Sequence, residues 1–361
     1  MANIAINGLG RIGRAVFKIA LDTPELSVVA VNDLVSADNL AYLLKYDTVY
    51  GKYDKRVENT SDRIIIDGKS YRVFNEKDPA QLPWGELNVD IVFECTGHFT
   101  KKEDLEKHIQ AGAKRAILST TAKSEDVVTV VPGVNHAPES EQIISCASCT
   151  TNCVTPVVEI ISRRIGVKKA IMTTVHAYTS SQEIVDGPSK KFRRGRAGAA
   201  NLVPTTTGAA TATTKVLTQH KDKFDGVAVR APIPVGSIAD IVFVTEKPTT
   251  VEEINSIFRE ESESEKYQNV LTVCEDEIVS SDIIQDAHAS IVDLSMTQVV
   301  DGDLVKVMSW YDNEWGYASQ MVKEAVHLTT LRAKSDEDSL RGKPLGRHQL
   351  PLLSPIKDHR V

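Results

Sequence analysis

Short apolar runs and helically spaced apolar residues alternate through the first half of the chain. Asn3–Asn7 (N-I-A-I-N), Ser27–Val31, Asp90–Glu94 (D-I-V-F-E), Arg115–Ser119 and Ile143–Cys146 read as strands buried on both faces, as in a parallel sheet. Ile12, Val16, Ile19 and Ala20 repeat at helical spacing after the first run, and residues 101–111 read as a helix between later runs. Such alternation predicts a parallel, doubly wound sheet. After Ser148, a good N-cap, Val154, Val157, Val158, Ile161 and Ile165 predict another helix, kinked at the interior Pro156.

The rhythm then changes. Strand-like runs at 168–178, 226–234, 237–247, 288–294 and 303–312 are accompanied by helical candidates only at 208–221 and 251–263. With so few crossovers, an α+β unit with a mixed, largely antiparallel sheet is expected. Gly316–Arg332 presents one apolar helical face through Met321, Val322, Ala325, Val326 and Leu328. Residues 333–361, with three prolines and two glycines, predict a flexible appendage; the alternative is an extension docking across subunits through Leu350, Leu352 and Leu353.

The first strand runs into G-L-G-R-I-G, with Gly8, Gly10 and Gly13 at G-x-G-x-x-G spacing. The first glycine suits a tight turn, the second a close approach to a pyrophosphate, and the third close helix–strand packing. Phosphates would meet the free N–H groups and positive end of the following helix. Asp33, twenty residues past Gly13, can accept hydrogen bonds from both ribose hydroxyls and would repel a 2′-phosphate, which favours NAD over NADP. Residues 1–148 thus read as a Rossmann dinucleotide-binding domain. Thr96-Gly97 and Ser119-Thr120, in loops after strand ends, should line its crevice.

Composition narrows the chemistry. The 361 residues carry a formal net charge of -7, so no global basic field draws nucleic acid or an anionic membrane. Anion binding must rest on local positive charge. The start of the sequence does not read as a signal peptide, no apolar run has transmembrane length, and five cysteines, three within eight residues, make a poor disulfide framework. A cytoplasmic enzyme is the expectation.

Cys149 falls in the first turn of the helix capped by Ser148, where free N–H groups and the helix dipole should lower its pKa below about 8.5. His176 lies on the next strand, in M-T-T-V-H-A-Y-T, and a Cys–His pair can share a proton during nucleophilic catalysis. Lys190, Lys191, Arg193, Arg194 and Arg196 follow, with Thr179, Thr205-Thr206-Thr207-Gly208 and Arg230 further along. Arginine forks, hydroxyls and backbone N–H groups together suit phosphate.

The segments N-G-L-G-R-I-G-R, L-L-K-Y-D-T-V-Y-G, A-S-C-T-T-N-C, T-T-V-H-A-Y-T, V-P-T-T-T-G-A-A and W-Y-D-N-E-W-G-Y-A resemble the phosphorylating glyceraldehyde-3-phosphate dehydrogenases, in family order over roughly residues 1–332. The resemblance implies a glycolytic or gluconeogenic oxidoreductase that converts glyceraldehyde 3-phosphate, inorganic phosphate and NAD to 1,3-bisphosphoglycerate. Cys149 would form a thiohemiacetal and then a thioester, with His176 as base and the Cys149 N–H as oxyanion donor. The cofactor would contact Asn7, Gly8, Gly10, Arg11, Ile12 and Gly13, with Asn313 holding the carboxamide and Tyr317 close by. The substrate phosphate would sit near Thr179 and Arg230, and the attacking phosphate near Ser148, Thr150, Arg194, Thr207 and Gly208. The family also implies a catalytic domain over 149–315, a helix over 316–332 returning to the cofactor domain, and a cytoplasmic homotetramer.

Some positions depart from the family pattern. Leu9 replaces a common Phe, Arg230–Ser237 (R-A-P-I-P-V-G-S) differs from the usual R-V-P-T-P-N-V-S, and Ser119–Ser124 lacks a proline. Cys146 stands where Asn is usual, which leaves three readings: a buried apolar cysteine, half a zinc site, or a disulfide partner for Cys149. The rival activities are erythrose-4-phosphate dehydrogenase, disfavoured by retention of Thr179 and T-T-T-G, and an RNA- or protein-binding role, disfavoured by the intact Cys–His pair and the acidic charge.

Overall fold

The computed structural model describes residues 1–341, with side chains through residue 330. Its first half contains β1 (Ala2–Asn7), α1 (Arg11–Leu21), β2 (Leu26–Asn32) and α2 (Ala37–Lys45). Five short strands follow: β3 (Tyr46–Asp47), β4 (Gly51–Lys52), β5 (Val57–Asn59), β6 (Arg63–Ile66) and β7 (Lys69–Phe74). Then come β8 (Ile91–Glu94), α3 (Lys102–Gln110), β9 (Arg115–Leu118), β10 (Val128–Thr129) and β11 (Ile143–Ser145).

Nine of these strands form one sheet in the order β10-β11-β9-β8-β1-β2-β7-β6-β5. From β10 to β7 every pairing is parallel, as the unbroken apolar runs predict, whereas β7-β6-β5 is an antiparallel meander. The meander and the β3-β4 hairpin lie between the second and third predicted strands, in a stretch for which the apolar pattern predicts nothing. Their residues alternate too briefly, as in R-I-I-I and K-S-Y-R-V-F, to stand out from a loop.

The second half begins with α4 (Cys149–Arg164), which continues through the buried Pro156. There follow β12 (Val167–Ala177), β13 (Val203–Thr206), α5 (Ala209–Val216), β14 (Phe224–Ala231), β15 (Ser237–Thr245), α6 (Val251–Ser262), β16 (Leu271–Cys274), β17 (Ser290–Val300), β18 (Leu304–Tyr311) and α7 (Trp315–Arg341). Seven strands form a second sheet, β13-β14-β12-β15-β18-β17-β16. Four of its six pairings are antiparallel; β12-β14 and β16-β17 are parallel, so the mixed sheet expected from sparse crossovers is what forms. The helix expected over 208–221 is shorter. It ends at Val216, and Leu217 (ψ 74°) breaks the spiral before a single 3-10 turn at Thr218–His220.

Two large apolar cores result. One joins the inner faces of β1, β2 and β8 to α1, α2 and the side of α7 carrying Tyr317, Ala318, Met321, Val322, Ala325 and Leu328. The other packs α4, α5 and α6 on the second sheet. The helix expected over 316–332 instead runs from Trp315 to Arg341, because no glycine or proline interrupts residues 317–341 before Gly342 and Pro344. The remaining part of the expected appendage, with Leu350, Leu352 and Leu353, lies outside the described residues.

The glycine loop shows why its three glycines are not equivalent. A Cβ on Gly13 would lie 1.9 Å from the Gly8 carbonyl oxygen, whereas one on Gly10 would meet nothing within 4 Å. Gly13→Ala should therefore destabilise the protein by about 1–3 kcal/mol, the usual cost of overpacking. Gly10→Ala should leave stability nearly unchanged and weaken NAD binding. Urea unfolding and NAD titration of the two variants test this, and equal stability losses would contradict it.

Candidate active site

The turn before α4 sets the site. Ala147 has φ +54°, a left-handed conformation uncommon for a residue with a Cβ, and it is held from both sides. Its N–H donates to Ser145 Oγ at 3.1 Å, and its carbonyl accepts from the buried Tyr317 hydroxyl at 3.0 Å. Ser148 then caps the helix, with its Oγ accepting from Thr151 N at 3.1 Å. Cys149 is the first helical residue, half-buried, with backbone N–H groups of Cys149 and Thr150 directed at its sulfur.

The second sheet supplies the partners. His176, near the end of β12, is paired in register with Arg230 on the parallel strand β14. Cys149 Sγ lies 3.3 Å from His176 Nε2. His176 Nδ1 is 2.7 Å from the Ala177 carbonyl and 2.6 Å from Arg230 Nη1, which also donates to that carbonyl at 2.9 Å. Arg230 Nε is buried without a hydrogen-bond partner among the described residues. The Tyr311 hydroxyl bridges Thr150 Oγ1 (2.8 Å) and Thr174 Oγ1 (2.7 Å), while its ring meets the imidazole edge-on.

Burial opposes charge on either member of the pair taken alone. Desolvation is the largest influence on Cys149 and raises its pKa, outweighing Arg230, Thr150 and the helix N–H groups, which lower it. Helix position therefore does not lower the thiol below its ordinary value, contrary to the sequence expectation. Desolvation, followed by repulsion from Arg230, pushes His176 down to about 3 against the opposing Ala177 carbonyl. Proton transfer within the Cys149–His176 contact creates no net charge and escapes much of that penalty.

Basic groups converge beside the pair. Arg194, on a 3-10 turn, is near enough to lower the His176 pKa as well, and its Nε donates to Thr205 Oγ1 at 3.0 Å. Thr207 Oγ1 accepts from Ala209 N at 3.1 Å at the start of α5, and a Cβ on Gly208 would meet open space. Thr179 shares a hydrogen bond with Ser181. Two expected phosphate ligands have their hydroxyls turned inward: Ser148 on Thr151 and Thr150 on Tyr311.

A cavity of about 820 Å³ lies at the C-terminal ends of the central strands of the first sheet. Asn7, Gly8, Gly10, Asp33 and Thr96 line it, as expected, together with Glu76, Lys77, His98 and Phe99, which sequence reasoning missed because they come from loops without a motif. The open face of Gly10 above the packed Gly8 and Gly13 suits the flat approach of a pyrophosphate. Asp33 accepts from Leu9 N (2.7 Å) and Val35 N (3.0 Å), which fixes its carboxylate with acceptor capacity to spare for ribose hydroxyls.

The other expected cofactor residues are not among those that line this cavity. Ile12 lies in the first turn of α1, and Gly97 takes the positive φ (+71°) of a turn. The Arg11 side chain is committed elsewhere, in ion pairs with Asp47 and Glu314. Ser119 N–H donates to the Glu94 carbonyl at the end of β8, and the Thr120 carbonyl accepts from Ser145 Oγ at 2.7 Å, tying this loop to β8 and to β11, the strand that leads to Cys149. Asn313 Oδ1 accepts from Gly236 N (3.1 Å) and Ser237 Oγ (3.0 Å), which orients its amide. Cys146 is fully buried in the first core, and all five cysteines are free thiols.

Comparison with known proteins shows the family of the chain. Residues 2–102 match the family model "Glyceraldehyde 3-phosphate dehydrogenase, NAD binding domain", and residues 148–313 match that of the C-terminal domain. The chain is 49% identical over 329 residues to glyceraldehyde-3-phosphate dehydrogenase 2 of Streptomyces avermitilis, covering 90% of this chain and 98% of that one. It is 46% identical over 330 residues to glyceraldehyde-3-phosphate dehydrogenase of Geobacillus stearothermophilus, covering 91% and 98%. With both halves matched and that site geometry between them, the chain belongs to the glyceraldehyde-3-phosphate dehydrogenase family.

Proposed function

We propose that this chain oxidises glyceraldehyde 3-phosphate to an acyl phosphate with Cys149 as nucleophile and His176 as base. The observation that carries this reading is the 3.3 Å contact between Cys149 Sγ and His176 Nε2 at the start of a helix, beside Arg230. Sulfur attacks the aldehyde carbon to give a thiohemiacetal, and the thiol proton passes by way of His176 to the new hydroxyl. Asn7, Gly8, Gly10 and Asp33 would hold NAD, which when bound would supply the acceptor for the hydride. His176 Nε2 takes the hydroxyl proton as the C–H electron pair departs, leaving a thioester on Cys149.

Arg230 and Thr179 hold the phosphate already on the substrate. Arg194, Thr207 and Gly208 receive inorganic phosphate, whose oxygen attacks the thioester carbon and expels the Cys149 sulfur. The Cys149 N–H stabilises the tetrahedral oxyanion. The Asn313 amide, its Oδ1 already occupied, offers N–H donors to the carboxamide side of the cofactor. Residues 1–148 form the cofactor domain and 149–315 the catalytic domain in this reading. The loop exposing Ile184, Val185, Phe192 and Leu202 suits burial against another copy of the chain, in keeping with a cytoplasmic homotetramer.

Three outcomes follow. Cys149→Ser should lower kcat by at least roughly a thousandfold, since a serine hydroxyl is far weaker as a nucleophile at neutral pH; retained steady-state activity would overturn the mechanism. His176→Asn should shift the midpoint of Cys149 alkylation by iodoacetamide to higher pH, because the thiolate loses its proton acceptor while desolvation remains. An unchanged alkylation profile would remove His176 from that role. Arg230→Leu should raise KM for the phosphorylated aldehyde by about tenfold or more, the loss of a charge-assisted hydrogen bond. In the same assay, KM for an unphosphorylated aldehyde should change little.

A further inference from the structure

Beneath the cofactor cavity lies a buried carboxylate that the mechanism does not use. Glu94, at the end of β8, is fully buried and accepts four hydrogen bonds. Oε2 accepts from Asn7 Nδ2 (2.6 Å) and faces His108 Nε2 (3.1 Å); Oε1 accepts from Thr96 N (2.8 Å) and Thr96 Oγ1 (2.5 Å). His108, also fully buried, accepts at Nδ1 from the indole N–H of Trp84 at 3.1 Å. Indole only donates, so Nδ1 must be the acceptor and Nε2 carries the proton that goes to Glu94.

The direction of these bonds continues outward. Asn7 Oδ1 accepts from Asn32 Nδ2 at 2.7 Å. Asn32 then grips the backbone of Glu76, donating to its carbonyl (2.9 Å) and accepting from its N–H (2.9 Å). On the other side, Thr96 Oγ1 accepts from His98 N at 3.1 Å. One anion therefore orients Asn7 and Asn32, and through them Glu76 on one wall of the cavity, and Thr96 and His98 on the opposite wall.

We infer that Glu94 is a positioning residue for NAD: its charge sets the donor direction of the Asn7–Asn32 relay and thereby fixes both walls of the cofactor cavity before NAD arrives. The inference rests on the cavity being the NAD site. A glutamine at position 94 has the same shape but places an NH2 group among four donors. If Asn7 turned its amide to accommodate it, Nδ2 would face Asn32 Nδ2; if Asn32 turned in response, its NH2 would face the Glu76 N–H. The misfit therefore reaches the cavity wall whichever amide turns.

Fluorescence titration with NAD, steady-state kinetics and thermal unfolding of Glu94→Gln test this. The dissociation constant and KM for NAD should rise by about tenfold, as for loss of hydrogen bonds to a charged group. kcat at saturating NAD and the Cys149 alkylation rate without NAD should stay within about twofold of the parent, since a pre-organised wall affects binding rather than chemistry. His108→Leu, which removes one donor and keeps the carboxylate, should raise the dissociation constant by about threefold, and it carries the test if Glu94→Gln does not fold. NAD affinities unchanged in folded variants, or a fall in kcat with affinity intact, would overturn the role of Glu94. Failure of the parent chain to bind NAD would instead overturn the assignment of the cavity.

Discussion

Both apolar cores meet at Cys149. Its side chain packs against the core of the first sheet and against that of the second, because α4 begins where β11 ends and immediately enters the other half of the molecule. Everything the site needs depends on that junction. The left-handed turn at Ala147 re-aims the chain, the Ser148 cap starts the helix, and β12 returns to bring His176 to the same point. A nucleophile lodged between two close-packed cores has little freedom to wander.

The same placement governs the electrostatics. In a chain of net charge -7, Arg230 and Arg194 are gathered by parallel strand pairing and a 3-10 turn around one desolvated pair, which concentrates positive charge there. Desolvation that would suppress a lone thiolate or imidazolium favours a proton that stays shared between the two. Arg230 sits against the imidazole, so it restrains imidazolium formation at the position from which it can hold a phosphate.

What the sequence discloses is what local rules enforce. The glycine loop and Asp33 depend on neighbours within one β1-α1-β2 unit, and the capped Cys149 on one strand–turn–helix unit. The β5–β7 meander escapes notice because its strands are short and half-exposed, so periodicity has too few residues to register. The inward turn of the Thr150 hydroxyl depends on Tyr311, 161 positions away, and no local pattern encodes it. Glu94 ends an apolar run and looks like a strand terminus; only the arrival of Asn7, 87 residues earlier, and of His108 shows that the carboxylate is buried and satisfied. The upward direction of the Cys149 pKa is likewise tertiary, since burial is a property of the assembled core and not of the helix start.

The C-terminal helix has a consequence for the order in which this molecule is made. Tyr317, Met321, Val322, Ala325 and Leu328 complete the core whose other walls come from residues 2–146. During synthesis the N-terminal strands emerge first, yet the apolar surface they share with α7 has no cover until residues 317–328 have left the ribosome. Until then the nascent cofactor half presents a ready surface to chaperones or to other nascent chains. The last helix among the described residues is thus the one that ends that exposure.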